Sequence, residues 1–357
     1  MKILIIALSG IGNIILSTPL IKKLKENLKD VEIDFVVRSK VFGEPIKDSK
    51  YVNKVVVFPY DPYNKNIKSL FMGVKEIMKL RRQKYDYSIT TFPSNQRMYN
   101  LFSFLVGAKK RITHKYQIGG IRTLSFLQNI RIPAKEEFSD PENNLNLLKS
   151  LNIKWDKKDL EKCFFHINKK NRIFAGEFIK EHKLQKYKLI GIHPGTSKRG
   201  AWRRWPVKYF VRLIKDLKEN KKIGIIIFSG PDEEKTIQEI RENVNSERIF
   251  FIKDRELKNI AALIKKCDVF LSTDSALGHI SGVFNINTIV LFGPANSKRT
   301  SPLGKKVKII YKDVKCNPCL GYPFKSLKAD YLKCKNYKKC LRQIKPEDVL
   351  EEIRKVL

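Results

Sequence analysis

Ile3-Leu4-Ile5-Ile6-Ala7-Leu8-Ser9-Gly10-Ile11-Gly12-Asn13 is the stretch on which the fold of this 357-residue chain turns. Six apolar residues in a row suit a strand buried on both faces. Ser9 to Gly12 then form a turn, and Ile14, Ile21, Leu24 and Leu28 follow at helical spacing. Outward from this unit the alternation repeats. Val31–Val37, Val52–Phe58 and Tyr87–Thr91 read as strands, with a basic helix over Lys65–Lys84. Residues 131–165 are irregular apart from a short helix over Asn143–Leu151. The alternation restarts at Leu189–His193 and runs through helix Val207–Leu217, strand Ile223–Phe228, helix Asp232–Asn243, strand Ile249–Ile252, helix Leu257–Lys266, and strands Val269–Leu271 and Thr288–Phe292. Strands joined by helices imply parallel, doubly wound sheets. The expected fold is α/β, with two Rossmann-like domains whose strand ends face a central cleft. The expected boundaries are 1–165, an interdomain region 166–186, a second domain 187–345 and a C-terminal helix 346–357.

The chain carries 72 Lys and Arg against 36 Asp and Glu, a net charge of +36. Such a surface attracts polyanions: nucleic acid, anionic lipid or phosphorylated glycan. A merely solubilising lysine surface is the plain alternative. Nucleic acid is not expected, because no basic stripe interleaved with aromatics forms a known module. The apolar start resembles a signal peptide, but Ser9-Gly10, Gly12-Asn13 and Thr18-Pro19 interrupt it. No apolar run reaches the roughly 18 residues of a membrane span. A cytoplasmic location follows, with peripheral contact at the inner membrane face allowed by the charge. Cys163 and Cys267 sit among apolar residues and read as buried free thiols.

Four segments carry chemistry. Ser9-Gly10-Ile11-Gly12-Asn13 lets a ligand approach the backbone, or is a tight turn in which Asn13 caps the helix. His193-Pro-Gly-Thr-Ser-Lys-Arg-Gly-Ala-Trp-Arg-Arg-Trp-Pro206 combines glycine amides, the Thr196 and Ser197 hydroxyls, and the cations Lys198, Arg199, Arg203 and Arg204. That is a phosphate site in composition, or else an exposed basic loop over Trp202 and Trp205. Ser272-Thr-Asp-Ser-Ala-Leu-Gly-His-Ile280 passes from strand into helix, where unpaired amides suit a diphosphate. The alternative is a Thr273 or Asp274 cap and a packed core His279. Cys316-x2-Cys319-x14-Cys334-x5-Cys340 has the spacing of a loop staple, either a structural zinc site or disulfides.

With these residues in view, the chain resembles glycosyltransferase family 9, the lipopolysaccharide heptosyltransferases. The resemblance runs nearly end to end. It rests on the Leu-Ser-Gly-Ile-Gly-Asn opening with its Thr-Pro-Leu, on Trp-Arg-Arg-Trp-Pro, on Ser-Thr-Asp-Ser-Ala-Leu-Gly-His with Leu-Phe-Gly-Pro, and on the cysteine segment ending in Ile-Lys-Pro-Glu-Asp-Val. It implies a GT-B fold and an inverting transfer that needs no metal cofactor. The donor would be a nucleotide-diphosphate sugar such as ADP-heptose, and the acceptor an anionic glycan or glycolipid. By the resemblance, Thr196, Ser197 and Arg203 contact the donor diphosphate and Glu234 the ribose. Asp274, Ser275 and His279 line the donor pocket. Gly12 and Arg97 belong to the acceptor side. The family usually has aspartate, its proposed general base, where this chain has Asn13. An amide cannot take a proton from a hydroxyl. Either another group, His193 or His114, serves as base, or Asn13 only orients the acceptor, or the enzyme is slow; alternatively, the protein binds sugar without transferring it.

Overall fold

The computed structural model describes residues 1–59, 67–118, 120–253, 256–319, 321–324, 334 and 338–357. They form two compact units. One is Met1–His166 with the described residues of Gly321–Ser326; the other is Ile167–Leu320 with those of Leu327–Leu357.

The first unit runs β1 (Lys2–Ile6), α1 (Ile11–Asn27), β2 (Glu32–Val37), α2 (Lys40–Gly43), β3 (Lys54–Val57), α3 (Ile67–Arg82), β4 (Tyr87–Thr90), α4 (Arg97–Val106), β5 (Lys110–Lys115), β6 (Ile130–Pro133) and α5 (Asp140–Asn146). Its six strands are parallel, in the order β3-β2-β1-β4-β5-β6. Side chains alternate across the pleat, so β1 supplies both faces. Ile3 and Ile5 pack on one side with Ile14, Leu20, Ile21 and Leu24 of α1. Leu4 and Ile6 pack on the other with Leu80 of α3 and Phe102 and Val106 of α4. Pro19 lies inside α1 and has no N–H for the carbonyl of Ile15. Thr18 Oγ1 donates to that carbonyl at 2.6 Å and Cys163 Sγ at 3.2 Å. Burial pushes the Cys163 thiol up to about 12, so it is a neutral donor.

The second unit runs α6 (Lys169–Glu181), β7 (Lys188–His193), α7 (Val207–Lys218), β8 (Ile223–Phe228), α8 (Glu234–Asn243), β9 (Ile249–Ile252), α9 (Leu257–Ile264), β10 (Val269–Thr273), α10 (Ala276–Val283), β11 (Asn287–Leu291), α11 (Ser297–Thr300), β12 (Val307–Ile310), α12 (Lys339–Arg342) and α13 (Pro346–Arg354). Its order is β12-β11-β10-β7-β8-β9, again all parallel. The stretch read from sequence as interdomain contains α6, which joins this unit through Asn171 Nδ2 donating to Asn259 Oδ1 at 2.9 Å. Trp205 is buried against the edge of Phe210, ring centroids 4.8 Å apart, and donates to the carbonyl of Ile344 at 3.0 Å. The basic loop above is thereby anchored to the C-terminal segment.

Both sheets change direction of winding once, between β1 and β4 and between β7 and β10. Loops leaving those strands diverge there and open a crevice outside the carboxyl ends. No helix among the described residues is long and apolar enough to cross a membrane.

Sequence patterning missed α4, β5, β6 and β12. β5 reads Lys-Arg-Ile-Thr-His-Lys, too polar for a strand by pattern, yet Ile112, Thr113 and His114 are buried in the sheet. His114 Nε2 lies 3.0 Å from the carbonyl of Asn143, and burial brings its pKa down to about 4. A folded-state pKa below the ordinary 6.5 means the unfolded chain binds the proton more readily, so stability falls as pH drops from 6.5 toward 4. At pH 5 the loss from this residue is ~2 kcal/mol. His114→Gln keeps a donor for Asn143 and removes the titration. Its unfolding free energy is expected to fall less steeply than the wild type's between pH 7 and 5, and equal slopes by denaturant titration would refute this account.

Candidate functional site

In the second unit, the β7/β10 crevice gathers the predicted donor residues. Thr196 is buried in the loop after β7, and Ser197 beside it is exposed. Arg203 ends the 3-10 turn Lys198–Arg203 and donates from Nη1 to Asp274 Oδ2 at 2.9 Å. Its Nε is buried with no partner among the described residues. Arg204 holds the loop from below, through the carbonyls of Thr196 and Asp232. Thr273 Oγ1 donates to the carbonyl of Gly195 at 2.7 Å, tying the two loops together.

Ser275 is the residue before α10, yet it does not cap the helix. Its hydroxyl lies 2.8 Å from His193 Nδ1 and 2.9 Å from Ser272 Oγ. The first amides of α10 are therefore left without a side-chain cap, a helix terminus that favours an anion. Asp274 does not cap it either, being paired with Arg203. His279 faces this pair from within α10. Burial lowers its pKa to about 4, the Asp274 carboxylate opposing and Arg203 adding to the shift. It is neutral near pH 7, and its Nδ1 has no partner among the described residues. Two buried nitrogens beside the uncapped helix start thus have hydrogen-bonding capacity that no described residue uses.

The two adjacent glutamates have different environments. Glu234, matched to the ribose contact from sequence, is exposed and pairs with Lys253 at 2.9 Å. Glu233 is buried, 3.3 Å from His193 Nε2, and accepts from the amide of Gly230 at 2.7 Å. Burial raises its pKa, but His193, the Gly230 amide and Arg204 together hold it below the usual carboxylate range. A Glu233–His193–Ser275–Ser272 chain results, which sequence reading missed. Its only trace was a polar residue at the end of each of β7 and β10, His193 and Thr273.

In the first unit, Leu8, Ser9, Asn13, Arg38, Phe58, Pro93, Gln96, Met98, Tyr99 and Tyr322 line a cavity of about 270 Å³. These residues follow β1, β2, β3 and β4, at this sheet's own crevice. Helix α1 starts at Ile11 with Gly10 before it, so Asn13 is in its first turn and is not the cap. No described residue hydrogen-bonds its amide, and no carboxylate or imidazole is among the described lining residues. Gly12 sits in the same turn. Arg97 is exposed at the start of α4 and does not line the cavity; Arg38, not singled out from sequence, does. Its guanidinium carbon is 5.6 Å from the Phe42 ring, with no ion pair among the described residues. Tyr322 also went unforeseen, because its segment lies some 300 residues away in sequence. Of the alternative bases, His114 is buried within β5 with its Nε2 at the carbonyl of Asn143, and it does not line the cavity; His193 belongs to the other unit's chain of hydrogen bonds.

None of the six cysteines is in a disulfide. Cys319 is pushed up to about 11, by burial first and then by Cys316, Cys340 and Cys334, so the four sulfurs sense one another. No group of three or more His, Cys, Asp or Glu among the described residues is arranged to hold a metal ion. The thiols as placed do not fit the zinc reading.

Gly195 passes so close to Glu233 that a Cβ would meet its carboxyl carbon at 1.9 Å. Gly195→Ala is expected to destabilise by ~1–3 kcal/mol. Adding Glu233→Ala removes the overlap, so the double variant should lose less than the sum of the two singles. Strict additivity in denaturant unfolding would show that the two residues are not in contact.

The sequence profile described as glycosyltransferase family 9 (heptosyltransferase) matches residues 74–329. The lipooligosaccharide heptosyltransferase 2 of Campylobacter jejuni subsp. jejuni serotype O:6 is 25% identical over 370 aligned positions, covering 100% of this chain and 99% of that protein. The lipopolysaccharide heptosyltransferase 2 of Escherichia coli K12 is 24% identical with the same coverage. Among solved structures, the family 9 transferase from Veillonella parvula superposes with a TM-score of 0.81 at 17% identity, over 99% of this chain and 96% of that one. The Escherichia coli ADP-heptose heptosyltransferase II superposes at 0.74 and 20% identity, over 100% and 98%. These two likenesses establish the GT-B fold. With its profile match spanning well over half its length, the chain belongs to glycosyltransferase family 9, the heptosyltransferases, and is a glycosyl-transferring enzyme.

Proposed function

We propose that this enzyme moves a heptose-like sugar, with inversion at the anomeric carbon, from a nucleotide-diphosphate donor to a hydroxyl of an anionic lipopolysaccharide-type glycan. The observation that carries the donor assignment is a pair of buried nitrogens, Arg203 Nε and His279 Nδ1, without partners among the described residues, beside the uncapped start of α10. Guanidinium, imidazole and helix amides together suit a diphosphate. Solved relatives are titled as complexes with ADP and with ADP-2-deoxy-2-fluoro heptose, which supports ADP-heptose as the donor. Thr196, Ser197, Arg203, Asp274, Ser275 and His279 form the donor site, and the Glu233–His193 pair backs Ser275. Asn13, Gly12 and Arg38 form the acceptor site.

The acceptor oxygen attacks the anomeric carbon as the bond from that carbon to the phosphate oxygen breaks. The electron pair leaves on the nucleoside diphosphate. Arg203 and the α10 amides stabilise the charge that develops there, the role a divalent metal would otherwise play. The Asn13 amide holds the attacking hydroxyl by hydrogen bonding, and the acceptor proton passes to solvent.

Arg203→Ala is expected to weaken ADP binding by about 1.5–3 kcal/mol in titration calorimetry, the worth of a charge-assisted hydrogen bond. Unchanged affinity would place the donor elsewhere. With ADP-heptose and a lipopolysaccharide-core acceptor, in the presence of chelator, Asn13→Ala should lose at least about tenfold in turnover, ~1.4 kcal/mol of barrier. If wild type, Asn13→Ala and Asn13→Asp all turn over alike, Asn13 has no catalytic part. Donor binding without any turnover would instead mark a non-catalytic sugar-binding relative.

A further inference from the structure

We propose that the outer face of α3 and α4, with the 3-10 turns after β5, is the surface by which this protein docks on an anionic lipid bilayer. It deepens the glycolipid-acceptor reading by naming the surface and the lipid charge. Helix α3 buries Gly73 and Leu80 toward the sheet and turns Phe71, Val74 and Met78 outward at positions i, i+3 and i+7. Phe71 is 71% exposed. Helix α4 does the same with Leu101, Phe104 and Leu105 while Phe102 and Val106 face the core. The turns Gly120–Thr123 and Ser125–Leu127, which pack on α4, add Ile121 at 81% exposure and Phe126 at 57%. Nine of the fifteen exposed large hydrophobics among the described residues lie on these four elements. A soluble surface scatters such residues; gathering them marks an interaction face.

Charge identifies the occupant. Residues 67–131 contain 13 Lys and Arg and only Glu76 and Asp86 as acids. Both acids are already engaged, Glu76 by Lys79 and Asp86 by Lys109, each at 3.0 Å. Cations stand directly on the apolar side chains: the Arg111 guanidinium is 5.5 Å from the Phe104 ring, and Arg81 donates to the carbonyl of Leu105 at 3.0 Å. Apolar tips ringed by cations match the interfacial zone of an anionic membrane, where the tips enter the acyl boundary and the cations meet phosphates. A second copy is a poor occupant, because a two-fold contact would set this cationic face against itself. The same helix α4 lends Met98 and Tyr99 to the Asn13 cavity. It is ten residues long, about 15 Å, so docking brings that cavity within reach of a lipid-linked acceptor.

The test is co-sedimentation of the full chain with vesicles, without donor or acceptor, so it can fail or succeed independently of the transferase reading. Vesicles are pure phosphatidylcholine or phosphatidylcholine with a third phosphatidylglycerol. The wild type is expected to sediment with the anionic vesicles alone. Phe71→Ser with Phe104→Ser should bind at least tenfold more weakly with an unchanged thermal midpoint, since both side chains are exposed. Lys75→Glu with Arg82→Glu should also weaken binding. The proposal is overturned by equal sedimentation with neutral vesicles, by no sedimentation at all, or by a serine variant that binds as the wild type does. It is also overturned if the wild type is a dimer that the serine variant converts to monomer, since a second copy would then own the face.

Discussion

A parallel sheet cannot leave a face open to water, because its crossovers must lie on both sides and its strands are apolar throughout. That constraint organises this protein twice. β1 and β7 each run through the middle of a six-stranded sheet, buried from their second residue onward, with helices above and below. Where the winding reverses beside them, the outgoing loops separate, and backbone and polar side chains gather at the carboxyl ends. Asn13, Arg38 and Gln96 meet at one such place, and Thr196, Arg203, Asp274 and His279 at the other. Neither site needs special architecture beyond that topology.

Within the second unit, electrostatics decides how the site is kept ready. Two acids, Glu233 and Asp274, are buried close to the proposed diphosphate site. Left unpaired, each would repel a diphosphate and would cost several kcal/mol to bury. His193, Arg204 and the Gly230 amide answer Glu233, and Arg203 answers Asp274. The second pairing uses Nη1 and leaves Nε, so the guanidinium is oriented by one anion while keeping a donor for another. His279, held neutral by burial, adds a nitrogen without adding charge. Ser275 is drawn to His193, which spares the α10 amides. The loop that carries Thr196 is fixed by Arg204 and Thr273, so it is ordered before a ligand arrives.

Much of this was legible in the residues. The runs Ile3–Leu8 and Ile223–Phe228 announced central strands because they are apolar without interruption. The heptad-like apolar positions of Val207–Leu217 announced α7, and the Thr-Ser-x-x-Gly-x-x-Arg and Ser-Thr-Asp-Ser runs announced polar loops at strand ends. β5, β6 and β12 escaped because edge and near-edge strands of four to six residues carry lysine or arginine that suits solvent, and only their neighbours in the sheet make them strands. α4 escaped because Pro93 and a run of aromatics mask its period.

Sequence by itself determined the doubly wound class, the two halves and the residue types at the β7/β10 crevice, because strand burial and glycine-bearing strand-to-helix turns are local properties. Tertiary structure alone decided which of two adjacent glutamates is buried, since one residue along α8's approach turns Glu233 inward and Glu234 to Lys253. It alone brought Tyr322 beside Asn13, put Arg38 in the cavity in place of Arg97, and drew the apolar tips of α3, α4 and the following turns onto one basic face. Those are contacts between segments far apart in the chain, and no local pattern encodes them.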